Sequence, residues 1–497
     1  VGNGDLKMKK LVEGLNEEQC AAVGAPLSGS ILVLAGAGCG KTTVLTRRIG
    51  WLCSNGYDPE HVCALTFTRK AADEMRERVS GIEFMNECES KPFITTFHSF
   101  ALFILREKID EIENFVRLGY SAGPILQTEK ERLKLISEIV TKDDRETLGV
   151  DLVGLESLIT RCTVFPEKIN AFPDENQLII RKLLHQFTTE KRRRGVWDFE
   201  DLTADVIELF RLDSSVLERY QEKFRYFLVD EFQDTNPVQI AFLKQLLLPS
   251  TGLFAVGDDD QAIYGFRGAD VRPTMEFTTI FNNAQIVKLQ TNYRSSLQIL
   301  HAANSIFKKK PEAYRKILRS GLNNKNNSGV TPKWLHFENQ AQMADFIIGE
   351  ARKLAGVLKV HIQQCAVLFR VNRSLEWVSQ YYAQKGLAPE EPPTLVTIHG
   401  SKGLEYPVVF LCDLEESVFP NYRPPGKKKR KGKIIGKVLD YFIGGKESAV
   451  CDWDEEQRLF YVGVTRAKQV LYMISVKNKF VYGRLRKFKR SRFRRLV

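Results

Sequence analysis

The sequence predicts an α/β protein built on two parallel sheets, with a helical insertion in the first domain. Three observations carry that prediction. Short apolar runs recur, each followed by polar residues and then a helical pattern, as in a doubly wound sheet. The runs fall into two series, separated by a stretch from about 100 to 198 that shows no buried-strand pattern. At 497 residues the chain is also too long for one hydrophobic core.

The first series begins in "GSILVLAGAGCGKTTVLTRRI" (29–49), where "ILVLA" is a run suited to a strand buried on both faces. It continues with "VCALTF" (62–67), "FITT" (93–96), "RYFLV" (225–229) and "LFAV" (253–256). The intervening stretch is dominated by helical segments such as "TEKERLKLISEIV". The second series runs "QIVKL" (285–289), "KWLHF" (333–337), "CAVLF" (365–369), "TLVTI" (394–398), "VVFLC" (408–412) and "VLYMI" (470–474). The expected division is a first domain at 1–97 and 198–278, an insertion at 98–197, a second domain at 279–476 and a basic C-terminal tail at 477–497.

The formal net charge is +12, which suggests a polyanionic partner. The charge is clustered. Residues 477–497, "KNKFVYGRLRKFKRSRFRRLV", hold ten Lys/Arg and no acid, with aromatics between them that suit stacking plus phosphate contact. A second cluster, "KKKRKGK" (427–433), follows "YRPPG" and reads as an exposed loop, either a nuclear import signal or simply solvated. The nine cysteines form no CxxC pair and no Cys/His cluster, which argues against a zinc site or a disulfide framework and fits a reducing compartment. No apolar run approaches the ~18 residues of a membrane span. The expected location is intracellular: nuclear in a eukaryote, otherwise cytoplasmic.

The chemistry starts at "AGAGCGKT" (35–42), a phosphate-binding loop between a strand and a helix, with Ala35 where the generic pattern has its first glycine. Gly36, Gly38 and Gly40 let backbone N–H groups turn inward, and Ala37, Cys39 and Thr43 belong to the same cradle. Lys41 would bridge the β- and γ-phosphates, and the Thr42 hydroxyl would hold Mg²⁺. "FLVDEFQDTN" (227–236) ends a strand in two acids. Asp230 would hold Mg²⁺ and Glu231 would deprotonate the attacking water. Positive charge at the γ-phosphate would come from Arg294 and Arg466, clamping ATP across an interface and converting hydrolysis into domain motion.

Ten motifs then follow one another in the order of the UvrD/Rep family of superfamily 1 DNA helicases, which the sequence resembles over nearly its whole length. They are "LNEEQCAAV" (15–23), "AGAGCGKT", "ALTFTRKAADEMRERV" (64–79), "TTFHSF" (95–100), "WDFEDL" (197–202), "VDEFQDTN", "GDDDQAIYGFRGAD" (257–270), "LQTNYRSS", "VTIHGSKGLEYPVVFL" (396–411) and "EEQRLFYVGVTRAK". The resemblance implies two RecA-like P-loop motor domains and an ATP- and Mg²⁺-dependent helicase moving 3′ to 5′ on single-stranded DNA. It implies that Gln19 reads adenine, Tyr293 stacks on the base, Gln261 senses the γ-phosphate, and Gly403 and Glu405 lie near the nucleotide. Phe67, Thr96, His98, Tyr264, Phe266, Arg267 and His399 match positions near DNA. The stretch 257–270 would thus couple the nucleotide to the strand. The expected partners are single strands and single-strand/duplex junctions, engaged by a monomer.

The sequence departs from the family in three places. Phe266 stands where many relatives have tryptophan. Cys39 replaces the usual Ser or Thr, either as a small residue tolerated there, the favoured reading, or as a thiol sensitive to oxidation or alkylation. Only "APEEPP" separates "VLFRVNRSLEWVSQYYAQKGL" (367–387) from "TLVTIHG", where relatives carry a second insertion subdomain. The chain is then either a minimal motor or one that has lost a segment. The alternatives to a helicase are a translocase that strips proteins from single-stranded DNA, and a non-hydrolysing nucleic-acid-binding module. Lys41, Asp230, Glu231, Arg294 and Arg466 argue against the module, and no residue excludes RNA as the track.

Overall fold

A computed structural model describes residues 10–497 except 86–87, 108–115, 117, 121–124, 127, 266–268, 309, 311, 313, 322–329, 422–452 and 482–483. The described residues form two compact units. The first takes those up to Leu34 and Lys41–Lys288; the second takes Ala35–Gly40 and those of Leu289–Gly426 and Val450–Val497. Among the described residues, no helix is long and apolar enough to cross a membrane.

In chain order the strands of the first unit are β1 (Ser30–Ala35), β2 (Val62–Thr66), β3 (Phe93–Thr96), the two-residue β4 (Ile125–Leu126) and β5 (Val196–Trp197), β6 (Tyr226–Val229), β7 (Gly252–Gly257) and β8 (Gln285–Leu289). Six of them make one sheet in the order β3-β2-β6-β7-β1-β8. The pairs β2–β3, β2–β6, β6–β7 and β1–β7 are all parallel. β2, β6 and β7 are buried along their whole length, as continuous apolar runs covered on both faces must be.

"QIVKL", expected to open the second series, is instead β8 at the edge of this first sheet. The reason lies in its polar positions. Gln285 is exposed and residues 286–288 are only half-buried, the profile of an edge strand.

Helices occupy most of the span between β3 and β6. They include Phe97–Glu107, Glu129–Ile139, Lys142–Leu148, Leu152–Val164 and Asp174–Arg194. Thr128 and Thr141 start two of them with reciprocal capping boxes, and Gly195 ends the longest in a left-handed turn. Leu135, Ile136, Leu155, Leu158, Ile180 and Phe187 form a core of their own here.

The strands of the second unit are β9 (Thr291–Asn292), β10 (Arg319–Ser320), β11 (Lys333–Asn339), β12 (Cys365–Phe369), β13 (Thr394–Thr397), β14 (Tyr406–Leu411), β15 (Ala467–Val481) and β16 (Arg484–Lys487). The main sheet runs β11-β15-β14-β12-β13, with β16 added to β15. All its pairings are parallel except β15–β16. Val367, Phe369, Val408, Phe410, Tyr472 and Ile474 are at its centre, with Ile347 and Ala351 packed on them. Nine residues, 385–393, separate the helix Asn372–Gln384 from β13.

A basic tail from 477 is corrected by this topology. β15 continues to Val481 and β16 returns beside it. The buried ring of Phe493 stacks on Phe460 with centroids 4.4 Å apart. Val476 and Lys479 are also buried, so the strand outlasts the apolar run "VLYMI". The basic loop 427–433 lies outside the described residues.

Candidate nucleotide site and strand-facing residues

β7 lies between β1 and β6, so the parallel order brings three strand ends together. The carboxyl ends of such strands are where α/β sheets place ligands. β1 leads into the loop 35–40 and the helix Lys41–Ser54, β6 into Asp230 and Glu231, and β7 into Asp258. Gly38 and Gly40 have φ of +68° and +83°, the left-handed region that makes glycine the residue for such a loop.

Lys41 and Glu231 meet at the centre, with Nζ 2.9 Å from Oε2. Burial pulls the lysine pKa down, but Glu231, Asp258 and Asp230 outweigh it, and Lys41 stands above its usual value. Burial pushes Asp230 up to about 7, and the Glu231 charge adds to that push. The Asp230 carboxylate accepts the Glu231 N–H at 3.0 Å. Glu231 itself is held at φ 49°, ψ 46°. A non-glycine residue in this region costs energy, and such strain gathers at functional positions.

Gln233 joins this pair to the next strand end. Its Nε2 donates to Glu231 Oε2 at 2.5 Å, and its Oε1 accepts the Asp258 N–H at 2.8 Å. Asp258 in turn accepts Gln261 Nε2 at 2.6 Å and the Asp260 N–H at 3.2 Å. Asp258 is therefore partly what its position after a buried strand suggests, the cap of the short helix Asp259–Gln261. Sequence reasoning passed over Gln233. Its only signal there was its place between the acids of "DEFQD".

Thr42 and Thr43 sit in the first turn of the helix, where both carbonyls accept the Thr46 hydroxyl. Gln19 is buried, and its side-chain oxygen takes the Asn16 N–H at 3.1 Å in a capping box. That bond fixes the carboxamide's orientation. Cys39 is only 1% exposed, and its thiol donates to the Ala37 carbonyl at 3.7 Å. A thiol so enclosed favours the reading of Cys39 as a small packed residue over that of an oxidation-sensitive one.

In the second unit, Asn292 is fully buried and organises the turn behind Tyr293. Its Oδ1 accepts the N–H groups of Arg294 and Ser295 at 2.9 and 2.8 Å, and its Nδ2 donates to the Ala37 carbonyl at 2.6 Å. A Cβ at Gly38 would stand 2.6 Å from that Nδ2, and one at Gly36 would stand 2.2 Å from Leu318. The Gly36 N–H donates to the Leu289 carbonyl, and Ala35 closes β1 just before it. Asn292 was not singled out from sequence, where it read as one polar residue among several in "TNYRSS". Tyr293 keeps 42% of its surface exposed. Arg294 pairs with Glu405 at 2.5 Å, and Lys468 reaches the same carboxylate at 2.6 Å. Burial raises Glu405, but these two cations win and hold it below its usual value. Arg466 is buried, its guanidinium donating to the Val462 and Leu404 carbonyls at 3.1 Å each. Gly403, at φ +83°, lies in the turn between the short helix His399–Ser401 and β14.

The strand-facing candidates divide differently. Phe67 and Tyr264, both half-buried, stack on each other with centroids 5.1 Å apart and planes at 18°. Thr96 is buried, its hydroxyl accepting the Ser99 N–H at 3.1 Å ahead of the helix Phe97–Glu107. His98 rests edge-on against Phe199, and burial lowers its pKa, favouring the neutral ring. His399 opens the short helix His399–Ser401 in the second unit. Phe266 and Arg267 lie outside the described residues.

Comparison with known proteins assigns the family. The UvrD/REP helicase N-terminal domain matches residues 15–282. The UvrD-like helicase C-terminal domain matches 287–390 and 384–478. A probable DNA helicase of Mycoplasma pneumoniae is 33% identical over 480 residues, 94% of this chain and 84% of that protein. The ATP-dependent DNA helicase PcrA of Bacillus subtilis is 32% identical over 76% of this chain and 50% of its own length. A probable DNA helicase II homolog of Rickettsia conorii is 35% identical over 73% of this chain and 55% of its length. The chain thus spans about half the length of the last two. With both domains matched in order and one relative aligned over 94% of the chain, the chain belongs to the UvrD/REP helicase family.

Proposed function

We propose that the chain hydrolyses ATP in response to single-stranded DNA, moves along the strand 3′ to 5′ as a monomer, and separates duplex at a single-strand/duplex junction. One observation carries the hydrolytic part: the Lys41–Glu231 contact at 2.9 Å beside buried Asp230. In this reading the N–H groups of residues 36–40 and the Lys41 ammonium bind the phosphates. Glu231 accepts the proton of the attacking water through its carboxylate, and Gln233 keeps that carboxylate oriented. Within the first unit Gln19 is the candidate for reading the base, and within the second unit Tyr293, Arg294, Glu405 and Arg466 are the candidates for nucleotide contact.

The Thr42 hydroxyl and the Asp230 carboxylate fit Mg²⁺. Both are hard oxygen donors, and Asp230 is raised first by burial and then by the Glu231 charge, a penalty that a bound cation would offset. A bound Mg²⁺ would neutralise developing phosphate charge. On the nucleic-acid side, the paired rings of Phe67 and Tyr264 offer stacking faces worth about 1–3 kcal/mol per base. That matches the ~1.4 kcal/mol of a base-pair step, so one base per ATP is a sensible stroke.

A second reading, a translocase that displaces bound proteins with little unwinding, is favoured by one feature. Only nine residues lie between the helix Asn372–Gln384 and β13, where the family resemblance places a whole subdomain. One experiment separates the readings: ATP turnover with and without single-stranded DNA, beside strand separation on a duplex with a 3′ tail, with Glu231→Gln as control. Stimulated turnover with strand separation is the expected result. Stimulated turnover without separation selects the translocase, and unstimulated turnover in folded protein discards both.

A further inference from the structure

The charge of residues 477–497 is displayed on a built surface. The Phe493 ring is fixed by Phe460, with Phe419 edge-on at 5.0 Å. The Ser491 N–H donates to the Leu414 carbonyl at 2.9 Å, and the Glu416 N–H donates to the Lys489 carbonyl at 2.8 Å. Arg492 Nε donates to Glu416 Oε1 at 2.8 Å. These contacts shape a concavity of about 720 Å³ whose charged lining is Glu416, Lys489, Arg490, Arg492, Arg494 and Arg495.

The balance of charge points to the ligand. Glu416 is taken by Arg492. Lys489, Arg490, Arg494 and Arg495 are exposed around the same hollow, and none of the four has an ion-pair partner among the described residues. Four like charges on one concave wall repel one another and focus a positive potential outward. Three are arginines, whose planar forks suit phosphate oxygens. The hollow is also wide and open, more apt for a chain of phosphates than for a single enclosed anion.

We propose that this concavity binds the sugar-phosphate backbone of nucleic acid, as a contact made by the second unit. The inference rests on the DNA-dependent reading above. Lys489→Gln, Arg490→Gln, Arg494→Gln and Arg495→Gln are combined in the full chain. Binding of a single-stranded oligonucleotide and of a blunt duplex is then titrated separately against salt. The expected result is at least a tenfold loss of affinity at low salt and a salt slope shallower by about three units, at ~0.7–0.9 per lost phosphate contact. Loss confined to the single strand assigns the surface to the tracked strand. Loss confined to the duplex assigns it to DNA ahead of the motor, and loss on both supports the shared chemistry.

A companion with Arg490→Lys, Arg494→Lys and Arg495→Lys, which keeps the charge, is expected to keep the slope. Lys142→Gln with Arg211→Gln is the control for a general loss of positive charge. Wild-type affinity and slope in the fourfold variant on both DNAs would overturn the proposal, as would equal losses in that control. If wild type itself neither binds DNA nor is stimulated by it, the proposed function fails, a result distinct from failure of this surface alone.

Discussion

Two buried clusters in the first unit are made of the same materials, a lysine among carboxylates, and are built in opposite ways. Among the helices between β3 and β6, Lys191 reaches Asp198 and Asp201 at 2.7 Å each, and Arg132 reaches Asp198 at 2.5 Å and Glu200 at 3.0 Å. Asp198 and Asp201 also form the capping box of the helix Phe199–Leu212. At the candidate nucleotide site, Lys41 has one direct ion pair among the described residues, with Glu231, while Asp230 and Asp258 lie close enough to raise its pKa. Asp230 accepts one hydrogen bond, and Glu231 sits in left-handed backbone.

A raised carboxyl pKa occurs in both places, about 7 at Asp230 and about 8 at Asp201, each mainly from burial. The shift therefore does not mark the site. What separates the clusters is saturation. The helical cluster ties Arg132 to three carboxylates and Lys191 to two, whereas at the strand ends Lys41 has one direct ion pair among the described residues and Glu231 carries backbone strain.

Four changes test that contrast, from the largest expected effect to the smallest. Glu231→Gln should lower DNA-stimulated ATP turnover by roughly 10²–10⁴-fold, the worth of a positioned general base, measured at saturating ATP. Lys191→Met should leave turnover per folded molecule intact. It should cost about 3–5 kcal/mol of stability, because Asp198 and Asp201 would stay buried without their cation; urea unfolding reads this. Gln233→Leu should cost about 1–3 kcal/mol by stranding the Asp258 N–H, and should also slow turnover, since Glu231 loses its tether. Glu200→Gln should change stability by at most ~1 kcal/mol, as Arg132 keeps Asp198. A loss of turnover in Lys191→Met as deep as in Glu231→Gln would break the comparison.

Much of this was legible in the residues. Continuous apolar runs located the strands of both sheets, and the phosphate loop with "VDEFQD" placed Lys41 and Glu231 together because parallel order joins their strand ends. Other features needed the fold. "QIVKL" carries the apolar content of a strand, but only pairing shows which sheet it joins. The positive charge of 477–497 masked a core anchor, since one Phe among cations looks the same exposed or buried. Gln233 and Asn292 act through hydrogen bonds to residues from other strand ends and loops, which no local pattern announces. The Phe67–Tyr264 stack likewise joins residues nearly two hundred positions apart.

The measurement closest to the central claim is the urea unfolding midpoint of Glu231→Gln beside wild type. If the strand-end cluster serves chemistry, the variant should unfold within ~0.5 kcal/mol of wild type, because Lys41 keeps the nearby Asp230 and Asp258 charges and one carboxylate repulsion disappears. A loss of several kcal/mol, on the scale expected for Lys191→Met, would show that Glu231 holds the fold, and would contradict the account.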